Sequence, residues 1–266
     1  MIASLPMYDW PELREATGAW WAGLKRHLQA HGFEAPDRLT RNRARAAIWK
    51  RPDLLLSQTC GYPLTHAFES RLDLVATPVY DLDGCSGPDY SSLIVVNAES
   101  GIGALEELRG RTAAYNSADS MSGHLALRSV FAPLARHGRF FGRTVRSGNH
   151  ANSMALVSMA KADVAAIDCV SFAIARRYRP ELVEGLRILA RGPAAPSLPY
   201  VTAPHRPQSE LERLRHALSD AAADPALIEV REAVFIAGLE FLPRQAYQRI
   251  VQLEEQCAAL GYPRLG

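Results

Sequence analysis

The strongest constraint on this chain is an alternation. Short apolar runs such as Leu54-Leu55-Leu56, Leu93-Ile94-Val95-Val96 and Val164-Ala165-Ala166-Ile167 are each followed by a polar turn and then by a segment with helical apolar spacing. A run that is apolar on consecutive residues suits a strand buried on both faces. Strands that alternate with helices build a sheet covered by helices, so the pattern predicts an α/β fold with largely parallel sheets.

Strands are expected at 2–6, 53–57, 72–80, 92–97, 111–115, 144–147 and 162–167. Helices are expected at 11–31, 61–70, 122–136, 150–160, 170–178, 209–223, 225–236 and 244–260. The loop 81–90, with Gly84, Gly87 and Pro88, marks a boundary, and the Pro-rich stretch 186–203 reads as an extended return. The expected organisation is two sheets flanked by helices, in two lobes joined by two crossovers. Lobe 1 takes 1–88 plus 204–266, and lobe 2 takes 89–203. In such folds ligands sit at the carboxyl ends of the strands.

Composition removes several function classes. A net charge of +2 is too small to specify a nucleic-acid surface. The cluster Arg38, Arg41, Arg43, Arg45, Lys50 and Arg51 lacks interleaved aromatics and reads as a solvated face. No apolar run reaches the roughly 18 residues of a membrane span. The N-terminus lacks the basic and apolar regions of a secretory leader. That leaves the compartment open between periplasm and cytoplasm. The four cysteines, Cys60, Cys85, Cys169 and Cys257, form no CxxC pair, so buried thiols are expected. A Cys60–Cys85 disulfide is the pairing open to an exported chain.

Chemistry concentrates in two polar clusters, Asn116–Gly123 and Ser147–His150. Each follows a strand and opens a helix, where unpaired backbone N–H groups favour an anion. Ser122 is placed to cap a helix or to bind, Gly123 lets a ligand approach the backbone, and neutral His150 has an N–H to donate. Asp168 ends a strand and either caps the next helix or accepts from an amino-bearing ligand. Gln58, Thr59, Tyr62, Tyr8 and Tyr90 are candidate walls. Ser122, His150 and Asp168 also permit an enzyme reading, although no GxSxG elbow is present. P-loop, HExxH and GxGxxG spacings are absent, so no cofactor or metal is expected.

The run Tyr90–Val96, Ser100-Gly101-Ile102, Leu105–Gly110, Asn116, Ser120–Gly123 and Ser147–His150 resembles the phosphate/phosphite/phosphonate-binding proteins of ABC transporters. So do Glu240-Phe241-Leu242, Tyr247 and Ala259–Pro263. The resemblance implies a type 2 periplasmic-binding-protein fold that closes by hinge motion around a small anion. It implies a periplasmic monomer serving an ABC permease, without membrane insertion or nucleic acid. It also implies that Ser120, Ser122 and His150 hold the anion's oxygens, with Asn116 in the same cluster. Asp168 would meet a ligand amino group, and Tyr62 and Tyr90 would line the first lobe's side. The family's Ser-Thr-Ser is broken by Met121, which removes a donor whose hydrogen bond to a charged group is typically worth about 1.5–3 kcal/mol.

Overall fold

The computed structural model describes residues 1–266. The chain divides into two compact units. Unit 1 comprises Met1–Asp81, Ser86–Pro88 and Pro196–Ala246, and unit 2 comprises Leu82–Cys85, Asp89–Ala195 and Tyr247–Gly266. Each contains its own five-stranded sheet.

In unit 1 the strand order is Ile2–Ser4, Leu54–Gln58, Tyr200–Thr202, Asp73–Tyr80 and Ile236–Glu240. The central Leu54, Leu55 and Leu56 are fully buried, as their unbroken apolar run requires. Two helices, Arg14–Ala30 and Gln208–Ala223, pack on each other. They present buried residues at helical spacing: Trp20, Trp21, Leu24 and Leu28 on the first, and Leu214, Ala217, Leu218 and Ala221 on the second.

In unit 2 the order is Leu186–Arg191, Ser92–Asn97, Val164–Asp168, Thr112–Tyr115 and Arg143–Arg146. The last three strands run parallel to one another. Ser92–Asn97 is antiparallel to both of its neighbours.

The sheets are mixed rather than largely parallel. In unit 1 only the Ile2–Ser4/Leu54–Gln58 pairing is parallel, and its other three are antiparallel. Of the five antiparallel pairings in the two sheets, four involve segments whose patterns point elsewhere, and the fifth joins the expected strands Ser92–Asn97 and Val164–Asp168. Leu186–Arg191 and Tyr200–Thr202 lie in the Pro-rich return and are strands. The expected helix 225–236 stops at Ala233, and Ile236–Glu240 is an edge strand against Asp73–Tyr80. Gly238 and an incompletely buried pattern hide that strand, because an edge with one wet face carries little apolar signal.

The C-terminal segment also departs from the expected partition, which placed all of 204–266 in one lobe. Tyr247–Gly266 belongs to unit 2. Its helix, Gln248–Ala259, packs on Ala126–Phe131. The buried Arg128 guanidinium donates to the Pro263 carbonyl at 2.8 Å and to the Glu254 carboxylate at 3.0 Å. Tyr262 is fully buried. An amphipathic stripe shows that a helix needs a partner but does not say which one.

All four cysteines are free thiols, three of them buried as expected, and the Cys60–Cys85 pairing is not formed. Cys60 lies in unit 1, whereas Cys85 lies in unit 2 with its Sγ 3.4 Å from that of Cys169. The basic cluster is a solvated face: Arg41 forks onto Asp9 at 2.6 and 3.1 Å, and Arg51 onto Asp53 at 2.8 and 3.0 Å.

Phe131 anchors the core of unit 2, with its ring 4.7 Å from Phe140 and 4.8 Å from Phe141, centroid to centroid. Phe131→Ala is expected to cost about 3–5 kcal/mol in chemical denaturation, through lost transfer energy and the cavity left behind.

Candidate functional site

The three parallel strands of unit 2 end at one edge, and each leads into a helix. Thr112–Tyr115 leads through Asn116–Ser120 into a helical stretch beginning at Met121. Arg143–Arg146 leads through Ser147–Asn149 into His150–Ser158, and Val164–Asp168 leads into Cys169–Tyr178. Neighbouring turns are tied by backbone: the Ser147 N–H donates to the Tyr115 carbonyl at 2.8 Å, and the Gly148 N–H to the Asn116 carbonyl at 3.0 Å. Gly148 has φ +91°, a left-handed conformation that favours glycine.

Each helix start is capped by a side chain. The Ser120 hydroxyl accepts the Gly123 N–H at 3.0 Å, Asn149 Oδ1 accepts the Asn152 N–H at 2.8 Å, and Asp168 Oδ1 accepts the Ser171 N–H at 2.9 Å. The first turn, Met121–Leu125, is a π-type turn before the α-helix Ala126–Phe131. Such wider turns are rare and recur at functional positions.

At this edge Asn116, Ser122 and His150 meet. His150 Nε2 lies 3.0 Å from Ser122 Oγ and 3.3 Å from Asn116 Nδ2. The Asn116 amide is oriented by the Ser117 N–H, which donates to its Oδ1 at 2.8 Å. Its NH2 group therefore faces Nε2, which must act as acceptor. The imidazole is then neutral with its proton on Nδ1. Burial pushes the His150 pKa down to about 4, with the nearby Ala166 backbone opposing that shift. Gly123 makes room for this arrangement: a Cβ there would stand 2.1 Å from Asn116 Oδ1.

The structure thus brings Asn116, Ser120, Ser122 and His150 to one edge. Met121 is buried. Asp168 adopts the cap geometry, and Tyr90 is buried within the same unit. Unit 1 holds the remaining candidates. Gln58 Nε2 donates to the Leu198 carbonyl at 3.1 Å and lies 3.3 Å from the Tyr80 hydroxyl. It borders a cavity of about 30 Å³ together with Tyr8, Trp20, Tyr80 and Tyr200. Tyr62 stacks on His66, with centroids 3.9 Å apart.

Two participants escaped the sequence reading. The Ala166 backbone has no side-chain signal. Asn149 was legible as the Ser/Thr/Asp/Asn-type residue that precedes a helix, but it was not singled out as the cap.

Stability should carry the signature of two half-buried imidazoles. His124, in the Met121–Leu125 turn, is also lowered to about 4, by burial first and then by the Arg128 charge. Between pH 6.5 and 4 the unfolded chain binds protons that folded His150 and His124 refuse, so stability falls as pH falls through that window. The upper bound is on the order of 3 kcal/mol per histidine. His150→Asn should flatten part of this slope in denaturant titrations at pH 7 and pH 4.5. An unchanged slope would mean that His150 is not held neutral.

A family model described as ABC transporter, phosphonate, periplasmic substrate-binding protein matches residues 49–247. No curated protein matches. Among solved structures, a binding-protein component of an ABC phosphonate transporter from Pseudomonas aeruginosa is 20% identical at TM-score 0.77, covering 100% of this chain and 90% of that one. PhnD1 from Prochlorococcus marinus in complex with methylphosphonate is 15% identical at TM-score 0.75, covering 97% of both chains. XAC2383 from Xanthomonas citri bound to ATP is 19% identical at TM-score 0.73, again covering 97% of both. These likenesses show a periplasmic-binding-protein fold. No helix is long and apolar enough to cross a membrane.

Proposed function

We propose that this chain, which belongs to the family of periplasmic substrate-binding proteins of phosphonate ABC transporters, captures a small phosphorus oxyanion at the carboxyl edge of the three parallel strands in unit 2. Solute binding is the family's function. The ligand class and the residues that hold it are our reading.

One observation carries it: two donors, Ser122 and Asn116, converge on the single lone pair of His150 Nε2. One of them is therefore releasable. When an anion arrives, the Ser122 hydroxyl turns to donate to it while the Asn116 amide keeps Nε2 satisfied. Ser120 is already poised, because its oxygen accepts the Gly123 N–H and its own hydrogen remains to donate. The helix start behind these hydroxyls adds backbone polarity of the right sign. The neighbours point the same way: PhnD1 was solved with methylphosphonate and XAC2383 with ATP. What the two ligands share is tetrahedral phosphorus with anionic oxygens.

Ser122 and His150 at 3.0 Å also resemble a nucleophile and its base. A triad needs a carboxylate to orient the imidazole, and here Asp168 caps a helix while Ala166 backbone faces the ring. Binding without turnover is therefore the reading we favour, with delivery to an ABC permease as its use.

A thermal-shift series over phosphonates, phosphate, phosphite, sulfate and small carboxylates is expected to show stabilisation by phosphorus oxyanions and no product. Ser122→Ala should weaken affinity about 10- to 100-fold, since a hydrogen bond to a charged group is worth roughly 1.5–3 kcal/mol. Its stability should change by less than about 1 kcal/mol, because Ser120 is the cap of that turn. A flat response to every oxyanion, or catalytic product release, would overturn the proposal.

A further inference from the structure

Cys85 and Cys169 are distant in sequence but adjacent in unit 2, with their sulfurs 3.4 Å apart. Their backbones are held on either side of one residue. The Ser91 N–H donates to the Gly84 carbonyl at 2.8 Å, and the Cys169 N–H donates to the Ser91 carbonyl at 3.1 Å. Ser91 Oγ adds a second bond to the Gly84 carbonyl, at 2.8 Å. Gly84, at φ +97°, permits the approach: a Cβ there would stand 2.8 Å from Cys169 Cβ. Two thiols fixed this way by main-chain bonds need only a small side-chain adjustment to reach bonding distance, about 2.05 Å.

We propose that Cys85 and Cys169 are a redox pair that closes to an intramolecular disulfide, a modification site beside the oxyanion edge but independent of what that edge binds. Cys85 is the entry thiol, since it is half-buried while Cys169 is 2% exposed. The Cys169 thiol is held well above its ordinary range, first by the hydrogen bond with Cys85, then by burial and the nearby Asp168 charge. The oxidant is a disulfide compound such as oxidised glutathione. The Cys85 thiolate attacks one sulfur of that compound, releases one thiol and becomes a mixed disulfide. Cys169 sulfur then attacks Cys85 Sγ, its proton passes to the departing thiolate, and a second thiol leaves. Two protein thiols are oxidised and one disulfide is reduced.

The closed loop runs from residue 85 to residue 169 and contains both the Ser120–Ser122 turn and the Asn149–His150 turn. It ties the Leu82–Cys85 segment, which ends where the chain passes into unit 1 residues, to the first turn of the helix that Asp168 caps. A loop of this length removes much of the unfolded chain's freedom, so oxidation stabilises unit 2.

The test is to treat reduced, full-length protein with oxidised glutathione, alkylate in denaturant and map the peptides. Titratable thiols should fall from the four in the sequence to two. The bridged peptides should be those of Cys85 and Cys169, at a rate independent of protein concentration. Cys85→Ser should keep its three remaining thiols under the same treatment. Four thiols surviving oxidation, a bridge mapped to any other pair, or a pair still lost in Cys85→Ser would overturn the proposal. Oxyanion affinity plays no part in the readout, so failure here leaves the binding reading untouched.

Discussion

The feature on which the site depends is the parallel pairing of Arg143–Arg146, Thr112–Tyr115 and Val164–Asp168. Parallel strands end on the same edge, and here every one of them turns into a helix there. One constraint thus gathers three capped helix starts and the residues between strand and helix. The backbone bonds from Ser147 and Gly148 to Tyr115 and Asn116 keep the two polar turns in register. Without that register, Ser122 and His150 would be two unrelated polar residues.

Polar order within the edge runs in a chain of single assignments. The Ser117 N–H fixes the Asn116 amide, the amide fixes Nε2 as an acceptor, and burial keeps the ring neutral. In the proposed capture, each step removes one freedom that an anion would otherwise have to remove on binding, which lowers its cost. Gly123 is a steric condition for all of it, because its missing side chain is where the Asn116 amide lies. The serines divide the work. Ser120 supports the helix start, and Ser122 holds a bond that a second donor can replace.

Legibility followed the physics of each signal. The buried strands at Leu54–Leu56, Leu93–Val96 and Val164–Ile167 were plain in the sequence, since burial on both faces leaves an uninterrupted apolar run. The helix stripes at Trp20–Leu28 and Leu214–Ala221 were equally plain. Ile236–Glu240 was not, because an edge strand with partly wet residues and a central glycine resembles a turn. Strand direction in the Pro-rich return was also hidden, since pairing partners are chosen across long stretches of chain. In the site, the two polar clusters were visible as hydroxyls and an imidazole at helix starts. The shared lone pair of His150 was not, because it depends on side chains 28 and 34 residues apart.

The sequence by itself determined the fold class, the location of both polar turns and, through the resemblance of their ordered motifs, the family. These are properties of local pattern, and local pattern survives in a linear string. Tertiary structure alone decided that the sheets are mixed and that the C-terminal helix packs with unit 2. It decided that Asp168 caps a helix, and that Cys85 lies beside Cys169 rather than Cys60. Each of these is a choice among partners, fixed by the competition among all surfaces the folded chain buries, and local pattern alone leaves that choice open.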